Sequence, residues 1–333
     1  MTATYRAQMI TKAGGPEVLE WIELPVEEPG PGQLRVRIRA AGVGATDLLV
    51  LAGKYRYAPK IPLVPGYEVA AVVDAIGAGV TGFRLGQRVA ALTVYGGYCE
   101  LLVRDARDFL PIPDEVSDVN AAAVILNYVT AWQMLHRVAK VRSGQTALVT
   151  GAAGGVGSAA LELLRLAGVK TYGAASTPKH DTVRRLGAVP IDPHTEKLNR
   201  LVRALEPDGV DHVFDAIGGP NIGLCIGSAR RGGSVVGYGF MAVHGTAATL
   251  SMFANLYVGA RLRGRRGAFY GITMLYRKDP EPLRADLPKI FALIGEKKLS
   301  PVVSATFPLH AARQALERLA AGSVEGKIVL TSG

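Results

Sequence analysis

The chain has 333 residues, the length of about two average domains, and carries a net charge of +10. Hydrophobic residues make up 49% and charged residues 20% of it, a composition that buries sizeable cores and excludes a disordered chain. Cys99 and Cys225 are too few for a disulfide framework or a four-thiolate zinc site. We expect both to be buried small hydrophobes of a cytoplasmic protein. Residues 1–8 lack an apolar run, so we expect no signal peptide.

The first third of the chain predicts short strands separated by Gly and Pro turns. From Leu34 to Ala40, apolar residues alternate with arginines, which is the period of a half-buried strand. Further strands are predicted at Glu68–Ile76, Gln87–Leu92 and Tyr98–Val103. Strands of this length with such turns indicate a compact, barrel-like module.

The middle of the chain predicts a helix followed by alternating strands and helices. The long, Ala-rich segment Ser117–Val138 is predicted to be helical, with Ser117 as its N-cap. The strands predicted after it are Thr146–Thr150, Lys170–Ala175, Val189–Ile191, Asp211–Ala216 and Ser234–Tyr238. The helices predicted between them are Gly155–Ala167, Thr182–Leu186, Glu196–Leu205 and Asn221–Ala229. This alternation predicts a doubly wound α/β domain with a parallel sheet covered on both faces.

The excess of positive charge is concentrated late in the chain. Arg230–Lys278 holds eight Lys and Arg residues and no acid, which suits an anionic partner or substrate without saying which. Within it, Met241–Ala260 is uncharged but too polar for a confident membrane helix, so we expect a lid, an active-site wall or a subunit contact. In residues 261–265, Arg alternates with Leu or Gly, which predicts a last strand with one basic face.

The C-terminal segment is predicted to complete the first module. Its predicted elements are the helix Leu283–Lys298, the strand Val302–Phe307, the helix His310–Ala321 and the strand Lys327–Leu330. The α/β domain is then an insertion. We therefore predict a β-rich catalytic domain of residues 1–116 plus 272–333, and a nucleotide-binding domain of residues 117–271.

The sharpest local signal is the segment Thr146–Ser158, with the sequence TALVTGAAGGVGS. A strand passes through a Gly-rich turn into a helix, the arrangement in which backbone amides and the helix dipole bind a pyrophosphate. Because the segment also opens an α/β alternation, it favours dinucleotide binding over a purely structural turn.

The end of the second strand of this domain predicts the cofactor. Domains that prefer NAD usually carry Asp or Glu there, bound to the ribose 2′-hydroxyl. The segment Gly173–His180 contains no such acid, whereas Ser176 and Lys179 suit a 2′-phosphate. NADPH is therefore favoured. The alternative is that Lys179 is a solvated lysine at the start of a helix.

The sequence lacks the usual signatures of metal and nucleophilic sites. Its histidines, at positions 136, 180, 194, 212, 244 and 310, show no HxH or HxxxH spacing, and there is no CxxC or GxSxG. We therefore expect no metal ion and no covalent nucleophile. No aromatic motif typical of RNA recognition is present, so we expect no specific nucleic-acid partner.

Seven segments, in order along nearly the whole chain, resemble one known family. They are Gly14–Glu20, Ala40–Val43 with Asp47, Val64–Glu68, Gly96–Glu100, Asn127–Ala131, Ala152–Gly157 and Gly326–Leu330. The chain resembles medium-chain dehydrogenases/reductases of the zinc-free quinone oxidoreductase (zeta-crystallin) type. Within that group it is similar to the vesicle amine transport protein branch. The resemblance implies a Rossmann domain inserted in a GroES-like catalytic module, and a homodimer joined at the Rossmann sheet edge.

The resemblance also implies the positions of the site. Zinc-dependent relatives carry Cys where this chain has Gly44 and His where it has Tyr67, which implies an enzyme without zinc. The implied cofactor-binding residues are Asn127, Thr130, Gly151, Ala152, Gly154, Gly155, Val156, Gly157, Ser176, Lys179, Gly237 and Tyr238. Asn127 either orients the nicotinamide amide or caps a turn. Two positions depart from the family, which usually has Asn at Gly44 and often Tyr at Pro193.

These observations together predict a zinc-independent reductase that transfers a hydride from NADPH to a quinone, enone or enal. Tyr55 and Tyr67 are the candidate hydrogen-bond donors for the oxygen that becomes negative. Tyr55 can equally be a packing residue, and Tyr67 a structural one. Two alternatives remain open. One is a dedicated enoyl thioester reductase, for which the basic stretch would contact an anionic carrier. The other is a binding protein that holds NADPH without turnover.

Overall fold

The computed structural model describes residues 3–243 and 245–332. Its fifteen strands are β1 (Thr4–Ile10), β2 (Leu19–Pro25), β3 (Gln33–Val43), β4 (Glu68–Ile76), β5 (Arg88–Leu92), β6 (Leu101–Asp105), β7 (Leu110–Pro111), β8 (Thr146–Thr150), β9 (Lys170–Ala174), β10 (Val189–Ile191), β11 (Val210–Asp215), β12 (Ala229–Gly237), β13 (Arg266–Phe269), β14 (Val303–Pro308) and β15 (Lys327–Thr331). Its eleven α-helices are α1 (Ala45–Leu51), α2 (Asp118–Trp132), α3 (Gly155–Leu166), α4 (His180–Arg185), α5 (Leu198–Leu205), α6 (Asn221–Ser228), α7 (Thr246–Ala254), α8 (Ala260–Leu262), α9 (Ile272–Lys278), α10 (Glu281–Gly295) and α11 (Ala312–Ala320). These counts refer to the residues described.

The chain divides into two compact units, described separately below. The first unit comprises Met1–Asn127 and Asp279–Gly333, and the second comprises Tyr128–Lys278. Two residues of the segment 1–8, Met1 and Thr2, lie outside the described residues, as does His244.

The first unit is built on a seven-stranded sheet and a separate β1–β2 hairpin. The sheet has the order β14-β15-β3-β4-β5-β7, and β6 also pairs with β3. The alternation predicted along β3 is confirmed, since its apolar side chains are buried and Arg35 and Arg37 point outward to Asp74, at 2.6 and 2.9 Å. The C-terminal strand β15 pairs antiparallel with β3, so both ends of the chain build one sheet around one hydrophobic core.

The second unit holds a six-stranded, fully parallel sheet in the order β10-β9-β8-β11-β12-β13. This is the strand order of the Rossmann fold, so the predicted α/β class is confirmed. The order reverses between β8 and β11, where the chain returns to the middle of the sheet. In such sheets ligands bind beyond the carboxyl ends of the strands at this reversal.

Several predicted elements are corrected by the structure. Residues 261–265 are not a strand: the end of α8 turns at Gly264, whose φ is +72°, and β13 begins only at Arg266. The strand predicted from Tyr98 begins at Leu101, because the Tyr98 carbonyl accepts instead from the Gln8 amide of β1. The strands β1 and β2 and the helix α1 were not predicted from the sequence. The predicted N-cap of α2 is confirmed, since the Ser117 hydroxyl accepts from the Asn120 amide.

The uncharged stretch Met241–Ala260 is largely helical, comprising α7 and a π-helical turn at Asn255–Gly259. Across the described part of the chain, no helix has both the length and the apolar character needed to cross a membrane.

Candidate functional site

The Gly-rich turn lies at the carboxyl end of β8, at the reversal of the parallel sheet. Gly151 has a φ of +61°, which favours glycine, and Gly154 caps α3 in an extended conformation. A Cβ on Gly157 would lie 2.2 Å from the Gly151 oxygen, so only glycine allows α3 to pack this closely on the turn. The first amides of an α-helix have no partners within the helix, so α3, which begins at this turn, offers donors that suit a pyrophosphate.

A buried carboxylate ties this turn to the neighbouring loop. Asp215, at the end of β11, accepts from the Thr150 hydroxyl at 2.6 Å, the Gly218 amide at 2.7 Å and the Asn221 side chain at 2.6 Å. The Thr150 oxygen in turn accepts from the Ala216 amide at 3.0 Å. Asp215 thus fixes the two loops at the sheet reversal relative to each other. Asp215 was not among the predicted site residues, although an acid at the end of a buried strand is visible in the sequence.

Ser176 and Lys179 lie together in the turn after β9. Ser176 precedes a single 3₁₀ turn, Thr177–Lys179, and its carbonyl accepts from the Lys179 amide at 2.9 Å. Asp192, just after β10, accepts from the Thr177 amide at 2.9 Å and from its hydroxyl at 2.5 Å. The Thr177 hydroxyl is the main reason that the pKa of Asp192 is lowered to about 2. Asp192 was not among the predicted residues, yet it holds the turn that carries Ser176 and Lys179.

Thr130 has an orphaned polar atom. Its side chain is 5% exposed, and its buried hydroxyl has no hydrogen-bond partner within the described residues. Buried hydroxyls without partners are rare in folded proteins, and a ligand is one explanation for them. The side chain therefore fits a group that accepts or donates a hydrogen bond, such as the carboxamide of a nicotinamide. Asn127, one turn earlier on α2, is buried as well.

The remaining residues predicted to bind the cofactor are Gly237, which ends β12, and Tyr238, which directly follows it. The Tyr238 amide donates to the Asp215 carbonyl at 2.9 Å, and the Gly237 carbonyl accepts from the Tyr270 amide at 2.8 Å. Both residues therefore lie at the same carboxyl edge of the sheet as the Gly-rich turn. The predicted residues of the Gly-rich turn and of the turn after β9 share this edge with Gly237 and Tyr238, whereas Thr130 lies on α2.

In the first unit, Tyr55 and Tyr67 form a hydrogen-bonded pair. Their hydroxyl oxygens are 2.8 Å apart, and their rings meet edge to face with centroids 5.9 Å apart. Tyr67 is buried and Tyr55 is half-buried. Burial, and next the neighbouring Tyr55, raise the pKa of Tyr67 well above its usual value. The buried tyrosine therefore stays protonated, and either hydroxyl of the pair can be the donor.

Three buried ionisable side chains lie behind this pair. The Lys327 ammonium, 3% exposed, contacts the Glu68 carboxylate, 0% exposed, and Glu68 also accepts from the Leu126 amide at 2.5 Å. Asp47 is equally buried and accepts from the Gly44 amide at 2.9 Å. Burial raises the pKa of Asp47 to about 6, although the Gly44 amide and the Lys327 charge act in the opposite direction.

The two glycines beside this cluster differ in what the structure demands of them. A Cβ on Gly42 would lie 2.4 Å from a Glu68 oxygen, so the ion pair requires glycine there. Gly44 has a φ of −144°, and a Cβ on it would meet its nearest neighbour, the Lys327 ammonium, at an ordinary 3.5 Å. Neither backbone nor space therefore requires glycine at position 44.

This donor set does not suit a divalent metal ion. An ammonium occupies the centre of the cluster, Glu68 is paired with it, and the Tyr67 hydroxyl is bonded to Tyr55. Throughout residues 3–243 and 245–332, no three His, Cys, Asp or Glu side chains converge to hold a metal. The residues present do not fit zinc, and no step of the chemistry below uses it.

Comparisons with known proteins define the family. Residues 30–114 match the alcohol dehydrogenase GroES-like domain and residues 186–330 the zinc-binding dehydrogenase model. The human synaptic vesicle membrane protein VAT-1 homolog-like is 31% identical over 337 residues, covering 98% of this chain and 80% of its own. The 2-haloacrylate reductase of a Burkholderia species is 32% identical over 332 residues, covering 97% and 98%.

Two solved structures extend the likeness. The quinone oxidoreductase of Coxiella burnetii superposes with a TM-score of 0.84 at 25% identity, over 99% of this chain and 100% of its own. A mycobacterial protein in complex with NADPH gives 0.86 at 26% identity, over 98% and 99%. The chain belongs to the medium-chain dehydrogenase/reductase family, whose members are oxidoreductases. It pairs a GroES-like β-rich domain with a Rossmann-like domain, as the resemblance in its sequence implied.

Proposed function

We propose that this protein is an NADPH-dependent reductase of conjugated carbonyl compounds, with quinones, enones and enals as its substrate class. The observation that carries the proposal is the Gly-rich turn at the reversal of a sheet with Rossmann order. The mycobacterial relative bound to NADPH and the Coxiella quinone oxidoreductase support the cofactor and the substrate class, respectively.

The chain offers a distinct group to each part of the cofactor. The α3 amides after Gly154 would hold the pyrophosphate, the turn with Ser176 and Lys179 the 2′-phosphate, and the unpaired Thr130 hydroxyl the nicotinamide amide. When bound, NADPH supplies the hydride. We assign these residues to a nucleotide-binding domain of residues 117–271 and the remainder to the catalytic domain.

The tyrosine pair would serve the oxygen of the substrate. As the conjugated system is reduced, its carbonyl oxygen gains negative charge and needs a donor. Tyr67 is buried and bonded only 2.8 Å from Tyr55, so it orients the Tyr55 hydroxyl. Either hydroxyl would stabilise this charge as a hydrogen-bond donor, and the proton that completes the product would come from water. The donor set around Gly44 and Tyr67 supports chemistry without zinc.

A homodimer would form along the free edge of the six-stranded sheet. β13 is the last strand in the order and pairs only with β12 within the described residues. Beside it, Leu262 is 82% exposed and Val258 is 58% exposed, which is unusual for large apolar side chains. Size-exclusion chromatography with light scattering tests the dimer, and a Leu262→Glu variant should shift it to monomer.

The test of the reductase is NADPH oxidation by the purified protein, followed by its absorbance, with ortho-quinones, enals and enones. Lys179→Ala should lower the kcat/KM for NADPH while leaving the kcat/KM for NADH unchanged. Lys197→Ala, which removes an exposed lysine of the same unit, should change neither. Tyr55→Phe should lower kcat more than it raises KM. NADPH binding without turnover on any substrate would favour the binding-protein alternative, and the absence of NADPH binding would overturn the proposal.

A second candidate function is the reduction of an α,β-unsaturated acid or its thioester. The Burkholderia relative, a 2-haloacrylate reductase by name, supports acids of this kind. Adding 2-chloroacrylate and crotonyl thioesters to the substrate panel separates the two. A kcat/KM on either that exceeds the values on all quinones and enones would replace the first candidate.

A further inference from the structure

Four arginines of the second unit lie together without carboxylate partners. Arg203 is on α5, Arg231 on β12, and Arg263 and Arg265 flank the turn before β13. Across the described residues none of the four forms an ion pair, whereas their neighbour Arg230 is bonded to Asp211 at 2.6 Å. Three of them lie in the basic stretch 230–278. Neither the proposed cofactor site nor the tyrosine pair includes any of the four.

Backbone carbonyls hold this arginine cluster in place. The Ala229 carbonyl accepts from both Arg203, at 3.3 Å, and Arg265, at 3.1 Å, so two guanidinium groups meet at one oxygen. Arg203 also donates to the carbonyls of Gly227, at 3.1 Å, and Pro207, at 2.8 Å. These neutral acceptors fix the arginines but leave their charge uncompensated.

The charges repel one another where they are held. Burial lowers the pKa of Arg265, and the charges of Arg203, Arg231 and Arg263 lower it further. Folding therefore concentrates like charges in a place where each destabilises the others. A multivalent anion would relieve this repulsion, and guanidinium groups bind phosphate oxygens in a fixed, two-pronged geometry.

The position of the arginine cluster separates it from the proposed cofactor site. Arg265 directly precedes β13 and Ala229 begins β12, so the cluster lies at the amino ends of the strands. The Gly-rich turn lies at their carboxyl ends, about 17 Å away for strands of five residues at about 3.3 Å per residue. One ligand group cannot occupy both edges, and the arginine cluster does not depend on the reductase activity.

We propose that the arginine cluster is a second anion site, which binds a compact ligand with consecutive phosphate groups. Because two guanidinium groups share one carbonyl oxygen, their positive charges lie close together. They suit a ligand whose negative charges are equally close, as in a polyphosphate chain. Acidic side chains of a partner protein are more dispersed. The ligand is therefore a nucleotide or inorganic polyphosphate.

The probe is sodium tripolyphosphate, titrated calorimetrically into the full-length protein at low ionic strength. We expect saturable binding that Arg231→Gln weakens at least tenfold, since one charged donor is lost. Arg231 donates no side-chain hydrogen bond within the described residues, so this variant should fold normally. Arg265→Gln should weaken binding similarly. Arg318→Gln, an exposed arginine of the first unit, is the matched control and should bind as the wild type does.

Three outcomes would overturn the site. One is the absence of saturable binding, and another is equal loss in Arg231→Gln and Arg318→Gln, which indicates general charge attraction. The third is loss of all tripolyphosphate binding in Lys179→Ala, which would place the ion at the proposed cofactor site. Inorganic monophosphate should bind more weakly than tripolyphosphate. Tighter binding of a 20-nucleotide single-stranded RNA or of anionic vesicles would replace the ligand class.

Discussion

Lys327→Met should destabilise the first unit strongly, because it leaves a carboxylate buried without its cation. Lys327 and Glu68 are 3% and 0% exposed and contact each other directly. Removing one partner of such a pair typically costs 3–5 kcal/mol of the free energy of unfolding, since the remaining charge is neither solvated nor paired. Asp47, also buried nearby, loses an attractive charge at the same time.

The loss should also depend on pH, in a direction fixed by Asp47. Its pKa in the folded protein, about 6, already exceeds the ordinary value of 3.8, so the folded state binds this proton more tightly than the unfolded state does. Lys327 lowers that pKa, and its removal raises it further. The contribution of Asp47 to the free energy of unfolding is therefore present at low pH and is lost as the pH rises through about 6, so the variant should lose more stability at pH 8 than at pH 4.5.

Urea denaturation at both pH values, followed by circular dichroism, measures the effect. Glu68→Gln combined with Lys327→Met should recover part of the loss, because no unpaired charge then remains at that position. Lys170→Met, which breaks an exposed pair with Glu206, serves as the control and should cost far less. A loss no larger than that of the control, or one independent of pH, would refute the account of the buried pair.

Three further predictions follow from burial and close contact. Asp47→Asn retains an acceptor for the Gly44 amide, so it should stabilise the protein at pH 8 by up to about 3 kcal/mol and not at pH 4, as measured by denaturation. Gly157→Ala should cost about 1–3 kcal/mol and weaken NADPH binding, because its Cβ meets the Gly151 oxygen; equal stability of the two proteins would contradict this. The Cys99 thiol is buried with its pKa raised to about 12, so iodoacetamide at pH 8 should not label it in the folded protein; rapid labelling seen by mass spectrometry would show it accessible.

The sequence by itself determined the features that short-range patterns encode. The passage from strand through Gly-rich turn to helix at Thr146–Ser158 requires glycine for local reasons. It predicted the α/β class, and it marks the sheet edge at which we propose that the cofactor binds. The alternation along β3 and the N-cap at Ser117 are also local, and both are confirmed. The arginine alternation at residues 261–265 misled, because Gly264 turns the chain before β13 begins.

The clusters that are built from residues far apart in the sequence were decided only by the tertiary structure. Asp47, Glu68 and Lys327 come from opposite ends of the chain, and nothing in their local sequence shows that they share one buried cluster. That the buried Thr130 hydroxyl has no hydrogen-bond partner among the described residues likewise depends on which groups the fold places near it. The arginine cluster arises because two arginines 62 positions apart reach the same carbonyl, at Ala229. The sequence of a segment gives the sign of its net charge. Which of its charges remain without an opposite charge depends on the neighbours in space.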